Sequence, residues 1–203
     1  MIKNFENLYV YDVEIINLPE EVEGGWDNPE AMELGTAVVY EYCSDQYHFF
    51  GKREYSKLIK LMNKGVVVSF NGINFDNRVV KNPCWLNIDL LVEIVKSKFG
   101  VETVKEAQEK YGKNNVHNGT ISLNGLAAGT LGMKKTGHGS HAPVLIREEK
   151  WAEVFSYNLH DVRLTRKLFE FAMEFGYLID GENGKYFVDL DRDHKISIKD
   201  LLT

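Results

Sequence analysis

The chain has 203 residues, of which 44% are apolar and 27% charged, enough for one domain of ordinary size with a real hydrophobic core. No apolar run reaches the roughly 18 residues that a membrane span needs, and the N-terminus lacks the apolar segment of a signal peptide. Only two cysteines occur, Cys43 and Cys84, which excludes a disulfide framework and a cysteine-based zinc site. We therefore expect a cytoplasmic protein with reduced thiols and no membrane partner.

The net charge of −6 argues on its face against a nucleic-acid partner, but the charges are unevenly distributed. None of the 30 acidic residues falls between Tyr111 and Arg147. The cations and histidines of that segment are Lys113, His117, Lys134, Lys135, His138, His141 and Arg147. A basic, glycine-rich segment can meet phosphates locally while the rest of the surface repels them. A solvated loop is the alternative interpretation.

The first half of the chain predicts an opening strand, a hairpin, a helix, a buried strand and a second helix. The apolar run Val66-Val67-Val68-Ser69-Phe70 is typical of a strand that is buried on both faces. Turn-forming residues at 24–29 indicate a loop before the hairpin, which we expect to turn at Ser44-Asp45. The predicted elements cover 7–13, 32–42 with 46–50, 55–63, 66–70 and 89–99.

The second half turns helical. Short helices are predicted over 103–111 and 122–131, the second with Ser122 as its N-cap, followed by a loop over 132–143. The clearest helix begins near Glu148 or Ser156 and ends at Phe175. After it, Gly181-Glu182-Asn183-Gly184 separates two β-like runs and predicts a small hairpin. The whole pattern predicts an α/β fold, a mixed β-sheet flanked by helices, with a C-terminal hairpin extension over 177–203.

Two acids stand at the end of the opening strand. Asp12 and Glu14 flank Val13, and residues two apart in a strand project to the same face. Both carboxylates should therefore point the same way. Acids at strand ends are also commonly solvated and without a role, so this pair alone is a weak signal.

A third acid, Asp76, follows the segment Asn71-Gly72-Ile73-Asn74-Phe75, directly after the buried strand. A buried strand delivers such a loop to one edge of the sheet, where functional sites of α/β folds are found. The alternative is that Asp76 only caps a helix that begins near Asn77. The two roles are compatible.

The most informative acid is Asp161, inside the long helix. Tyr157 and Asp161 are four residues apart and share one helix face. That face continues through Leu164, Leu168 and Phe171, which are the residues of a core-facing stripe. Burying an acid there is costly unless it is paired or binds a metal. Either a metal or a nearby Arg or Lys would satisfy it.

Four oxygen donors without a Cys or His cluster suit hard cations such as Mg²⁺ or Mn²⁺. Two such ions about 4 Å apart are able to clamp an in-line phosphoryl displacement, one at the attacking water and one at the leaving oxygen. Clustered carboxylates repel one another, and bound metal relieves the repulsion. The four acids therefore favour metal binding without any cofactor motif.

Three spaced motifs of this sequence resemble those of the DEDD exonucleases, a superfamily that includes polymerase proofreading domains and ribonuclease D. The motifs are Asp12-Val13-Glu14, Asn71-x-x-x-Phe75-Asp76 and Tyr157-x-x-x-Asp161. The third looks like the tyrosine subclass, because the histidine subclass would need His where Ser156 stands. The likeness covers about residues 8 to 172. It includes Trp26, Met32, Trp151, the segment 122–126 and the segment 131–139, which are similar to predicted helicase-associated 3′–5′ exonuclease domains.

The resemblance implies a ribonuclease H-like domain over 1–176 that removes nucleotides from a free 3′ end. It implies metal ligation by Asp12, Glu14, Asp76 and Asp161, and a catalytic Tyr157 that orients or helps deprotonate the nucleophilic water. Asn71 and Phe75 match positions that shape the substrate site. The chain's own charges add Lys134, Lys135 and His138 as phosphate contacts. We expect single-stranded DNA to be the favoured substrate, with any helicase or polymerase partner on a separate chain.

Three rival interpretations remain. A non-catalytic nucleic-acid-binding module would keep the fold without cleavage, although retention of all four acids and Tyr157 argues against decay of the site. A structural α/β domain recruited by a partner protein is another option. The segment 189–200 places acids like a calcium loop, but His194 stands where that loop needs glycine, so a hairpin turn is favoured.

Overall fold

The computed structural model describes residues 7–82, 86–116, 120–133 and 141–190. Its centre is a five-stranded mixed sheet with the order β3-β2-β1-β4-β5. The strands are β1 (Asn7–Ile15), β2 (Leu34–Glu41), β3 (Gln46–Gly51), β4 (Gly65–Ser69) and β5 (Asn87–Asp89). The antiparallel part joins β1 to β2 and β2 to β3, and the parallel part joins β1 to β4 and β4 to β5.

Eight α-helices occur in the described residues, and they cover both faces of the sheet. The longest, α8 (Trp151–Phe175), lies across β1 and β2. The others are α1 (Tyr55–Met62), α2 (Asp76–Val79), α3 (Leu90–Phe99), α4 (Val104–Tyr111), α5 (Lys113–Val116), α6 (Leu123–Leu131) and α7 (Ala142–Arg147). The predicted mixed α/β sheet is confirmed. So is the C-terminal hairpin, which pairs β6 (Tyr177–Ile179) with β7 (Lys185–Phe187).

The central strand β1 is buried on both faces. Leu8 and Val10 belong to the core under α8, whereas Tyr9, Tyr11 and Val13 belong to a second core on the opposite face. Alternate residues of a strand point to opposite faces, so the core under α8 continues along the strand towards Asp12 and Glu14. This alternation brings both acids to the α8 side of the sheet.

Some elements differ from the prediction. The segment 132–143 was expected to be loop, but α7 begins at Ala142, with Pro143 in its first turn, where proline is tolerated. The three-residue β5 and the four-residue α5 were not predicted, because elements so short carry no periodicity. Ser122 accepts a hydrogen bond from the Gly125 N–H at 3.1 Å, as expected of an N-cap.

Part of the predicted calcium-like segment and the stretch from 134 to 140 lie outside the described residues. Among the residues that are described, no helix combines the length and apolar character needed to cross a lipid bilayer.

Candidate metal centre

The first two acids lie on β1 beside an irregularity of the sheet. Asp12 pairs with Val38 and Glu14 with Thr36, and the register then shifts so that Ile15 pairs with Leu34. A register shift of this kind is typical of a β-bulge, in which one strand carries an extra residue. The extra residue is Gly35, where an added Cβ would lie only 2.5 Å from Ile146 and 3.0 Å from the Glu14 carbonyl oxygen. A larger residue at this position would therefore have to displace the Ile146 side chain and would press against the Glu14 backbone.

The third acid approaches from the long helix. Asp161 is 3% exposed, and the stripe predicted for it is confirmed, since Leu164 and Leu168 are fully buried. One carboxylate oxygen each from Asp12, Glu14 and Asp161 lies within 4.8 Å of the other two. Residues that are far apart in the sequence thus meet in one anionic cluster. A bound cation would relieve the repulsion among them.

The fourth acid, Asp76, lines the same cavity but does not belong to that three-carboxylate group. It is 4% exposed, and its Oδ1 accepts a hydrogen bond from the Val13 backbone N–H at 3.0 Å. The bond ties the second motif to the strand that carries the first. The alternative role as a helix cap is wrong, because α2 begins at Asp76 itself and its side chain bonds to β1 instead.

Burial dominates the electrostatics of Asp76. It raises the pKa of the carboxyl to about 7, and the charges of Asp89 and Asp161 add to the increase. The hydrogen bond from Val13 acts in the opposite direction. Without a cation, this carboxyl therefore changes its charge near neutral pH.

Tyr157 lines the cavity one helical turn before Asp161. Its phenol pKa is raised well above the usual range, first by burial and then by the charges of Asp161, Glu14 and Asp12. In the cation-free protein the hydroxyl is therefore neutral at physiological pH. The Tyr157 hydroxyl is therefore suited to hydrogen bonding, and it is not a deprotonated general base.

Sequence reasoning missed Asn158, which is fully buried on α8. Its side-chain N–H donates to Asp12 Oδ2 at 2.6 Å, so the helix fixes a carboxylate of the opening strand. Asn158 precedes Asp161 by about one turn and Thr165 by about two, and both of these are buried. A polar amide on that core-facing stripe was the available signal.

Asp89 was also missed as a functional position. It caps α3 through the Leu91 N–H and accepts hydrogen bonds from the backbone N–H groups of Asn71, at 2.8 Å, and Ile73, at 3.0 Å. These bonds hold the loop between β4 and Asp76, in which Asn71 adopts a left-handed conformation with φ of 63°. Burial raises the pKa of Asp89 to about 6.

The cavity at this site has a volume of about 240 Å³. Its lining combines the four acids and Tyr157 with apolar side chains. Asn71 and Phe75, the two predicted substrate residues that the structure describes, both line the cavity. The apolar lining consists mainly of Trp26, Phe70, Phe75, Leu91, Ile121 and Leu123.

The predicted phosphate contacts Lys134, Lys135 and His138 lie outside the described residues. Two other cations of the acid-free segment are engaged with acids. Lys113 binds both Asp27 carboxylate oxygens, at 2.6 and 2.7 Å, and Arg147 forms an ion pair with Glu21. Much of this segment is helical rather than a solvated loop.

The donor set fits a hard divalent cation. Three carboxylates supply oxygen ligands, two of them are buried, and the fourth acid stands beside them. Mg²⁺ and Mn²⁺ prefer such oxygen donors, whereas a zinc site would call for Cys or His. An acidic cluster of this kind is able to bind a metal ion and, through it, a phosphate.

The strand order and the helical layers define an α/β fold of the ribonuclease H-like kind, with an acidic cluster on its central strand. Among solved structures, the chain is similar to the family B DNA polymerase from the hyperthermophilic archaeon Pyrobaculum calidifontis. The TM-score is 0.50 at 18% identity, over 83% of this chain and 25% of the polymerase. The chain thus spans a quarter of that polymerase's length, and the likeness concerns the fold. Neither a protein-family model nor a curated protein matches the sequence.

Proposed function

We propose that the protein is a metal-dependent 3′–5′ exonuclease that hydrolyses phosphodiester bonds with two divalent ions, Mg²⁺ or Mn²⁺. The observation that carries the proposal is the meeting of Asp12, Glu14 and Asp161 within 4.8 Å, at a cavity that is also lined by aromatic and aliphatic side chains. The polymerase-like fold agrees with the resemblance of the three sequence motifs to a superfamily that includes proofreading domains.

In this proposal Asp12, Glu14, Asp76 and Asp161 hold the ions. When bound, such ions supply charge stabilisation and an activated water for in-line displacement at phosphorus. The chain holds its ligands ready for them: Asn158 fixes the Asp12 carboxylate, and the Val13 N–H fixes Asp76. Preorganised ligands reduce the cost of assembling the site during the reaction.

Tyr157 acts on the attacking water through its hydroxyl. The raised pKa keeps the phenol protonated, which supports an orienting role over a role as general base. Tyr157 lines the cavity together with Asp161. The chain thereby positions the nucleophile with a group that does not itself need to change charge.

For the substrate we propose single-stranded DNA with a free 3′ end. Phe75 and Asn71 border the cavity where the terminal nucleotide would enter. Lys134, Lys135 and His138 remain our candidates for phosphate contacts further along the strand. Binding should then weaken as salt rises, because each neutralised phosphate releases counterions. A flat response to salt would exclude these contacts.

The test is a degradation panel of end-labelled DNA and RNA, single-stranded and duplex, with Mg²⁺, with Mn²⁺ and with chelator. The proposal expects stepwise shortening from the 3′ end that depends on metal. Metal-independent binding without cleavage would instead favour a non-catalytic nucleic-acid-binding module. A protein that neither binds nor cleaves any strand would be a structural domain.

A further inference from the structure

A large aromatic side chain stands exposed at the mouth of the acidic cavity. Trp26 is 53% exposed, although it lines the cavity and its ring centroid lies 5.7 Å from that of Phe75. Exposing an indole to water costs free energy that burial elsewhere would recover. Such a residue beside a polar site is typical of a contact surface for a flat apolar ligand.

The backbone conformation of the loop before Trp26 sets the direction of the Trp26 side chain. Gly24 and Gly25 both adopt left-handed conformations, with φ of 84° and 50°, directly before the indole. An added Cβ at Gly24 would also lie 3.0 Å from the Asn28 Cβ. Glycine takes these angles at no steric cost, so the two glycines favour the turn that sets the direction in which Trp26 leaves the backbone.

Two cations, Arg78 and Lys113, form ion pairs with acids of this loop. Arg78 binds both carboxylate oxygens of Glu30, at 2.6 and 2.7 Å, and reaches the Asp27 carbonyl oxygen at 3.4 Å. Lys113 binds the Asp27 carboxylate. Because Arg78 belongs to α2, which begins at Asp76, this clasp joins the helix that carries a candidate metal ligand to the neighbours of Trp26.

A two-oxygen pair between guanidinium and carboxylate fixes orientation as well as distance. Each pair is a surface contact that would contribute little to folding alone. Their common effect is local, because both act on residues close to Trp26 in the sequence and hold the indole near Phe75. The clasp therefore shapes the cavity mouth rather than the core.

We propose that Trp26 is a stacking platform for the terminal nucleobase of a single strand, and that Arg78 with Glu30 and Lys113 with Asp27 are positioning residues that hold it there. The inference rests on the proposed function for the identity of the ligand. The acids bind the sugar–phosphate part of the terminal nucleotide through bound cations, and the base stacks on Trp26. An aromatic face stacks on any of the bases. The site should therefore recognise an unpaired strand end without regard to its base sequence.

The first experiment pairs a change in the protein with a change in the ligand. The full chain carrying Asp161→Asn, which should not cleave, is titrated into 5′-fluorescein-labelled oligothymidylate, and anisotropy reports binding. A second oligonucleotide is identical except for an abasic 3′-terminal residue. Removing the base should weaken binding about 5- to 150-fold, the range for one base–aromatic stack. With Trp26→Ala added, both oligonucleotides should bind equally weakly.

The second experiment tests the clasp by charge reversal. Arg78→Glu or Glu30→Arg alone should weaken binding of the intact oligonucleotide about 3- to 10-fold, and the double reversal should recover most of the loss. The matched control is Lys52→Glu, which breaks an ion pair with Glu33 on the same loop, away from the cavity. That variant should bind as the parent does. In chains that keep Asp161, the clasp variants should raise KM and leave kcat within about twofold.

These outcomes separate the inference from the proposed function. If the strand binds through Trp26 but the unmodified chain degrades nothing, the platform stands and the exonuclease proposal fails. If the chain degrades strands, yet loss of the terminal base weakens binding equally in the parent and in Trp26→Ala, the platform is wrong. Two single reversals whose losses simply add in the double variant would overturn the clasp.

Discussion

The side-chain amide of Asn158 donates a 2.6 Å hydrogen bond to the Asp12 carboxylate, and so links the long helix to the opening strand inside the acidic site. The Asn158 carbonyl oxygen is also buried and has no hydrogen-bond partner among the described residues. An amide in this position orients a ligand without adding charge. Residues that hydrogen-bond to the metal ligands, without binding the metal themselves, change the affinity of the site for the metal.

We therefore predict that Asn158→Leu, which keeps the branched shape of the side chain but removes its polar atoms, weakens Mn²⁺ binding about 10- to 100-fold. Isothermal titration of the folded variant measures this. Asn115→Ala is the control, because that exposed asparagine bonds to the Tyr111 carbonyl oxygen, away from the acidic cavity. Equal Mn²⁺ affinity in Asn158→Leu and the unmodified chain would remove the positioning role.

Metal binding should raise the melting temperature more at pH 8 than at pH 6. The pKa of Asp76 is raised to about 7, so at pH 8 its carboxylate is ionised and available. At pH 6 a cation must displace the proton, which lowers the apparent affinity by about tenfold per pH unit below that pKa. Differential scanning fluorimetry with and without Mn²⁺ checks this. Asp76→Asn should flatten the dependence, and an equal shift at both pH values in the unmodified chain would contradict it.

Tyr157→Phe should slow cleavage by about 100-fold or more while Mn²⁺ still binds, because the hydroxyl orients the nucleophile and ligates nothing. Single-turnover kinetics, with titration of the metal in parallel, separate the two effects. Since the phenol pKa lies well above its usual range, the unmodified chain should lose no rate to tyrosine protonation at low pH. Loss of metal binding in Tyr157→Phe would show that its role is a different one.

Asp89 gives a pH dependence of stability with a defined sign. Its pKa is about 6 when folded against 3.8 in the reference state, so the folded chain holds the proton more tightly. The contribution of Asp89 to stability is therefore greatest below pH 3.8 and falls as the pH rises to about 6, by up to about 3 kcal/mol. Urea unfolding of the unmodified chain and of Asp89→Asn at several pH values isolates this change.

The comparison for Asp89 is the difference in unfolding free energy between the two proteins. It should shift in favour of Asp89→Asn as the pH rises from about 4 to about 6 and stay constant above that. A difference that is constant over the whole range would mean that Asp89 does not bind its proton more tightly in the folded chain.

The sequence predicts the sheet because its signals are periodic and long. Leu8, Val10 and the run from Val66 alternate or cluster as buried strands do, and the stripe through Asp161 identifies the buried face of α8. Spacing alone also indicates that Asp12 and Glu14 share a face. These features depend on residues that are close together in the sequence, so they can be predicted without a structure.

The remaining features depend on contacts between distant residues. The bond from Asn158 to Asp12 joins positions 146 apart, and Asp89 reaches the Asn71 loop from the neighbouring strand. The engagement of Lys113 with Asp27 is equally invisible in a count of charges, which suggested a free basic segment. No local pattern specifies such pairs, because they follow from how the elements pack.

The most direct measurement is the fate of a 5′-labelled single-stranded DNA incubated with Mn²⁺ and either the unmodified chain or Asp161→Asn. We expect the unmodified chain to produce a ladder that shortens from the 3′ end and to leave a circular strand intact. Asp161→Asn, folded by circular dichroism, should be slower by at least about 100-fold, because it removes one of the carboxylates that meet within 4.8 Å. An unmodified chain that leaves the linear strand whole with Mg²⁺ and with Mn²⁺, or an Asp161→Asn variant that cuts at the same rate, would contradict a catalytic metal centre at this site.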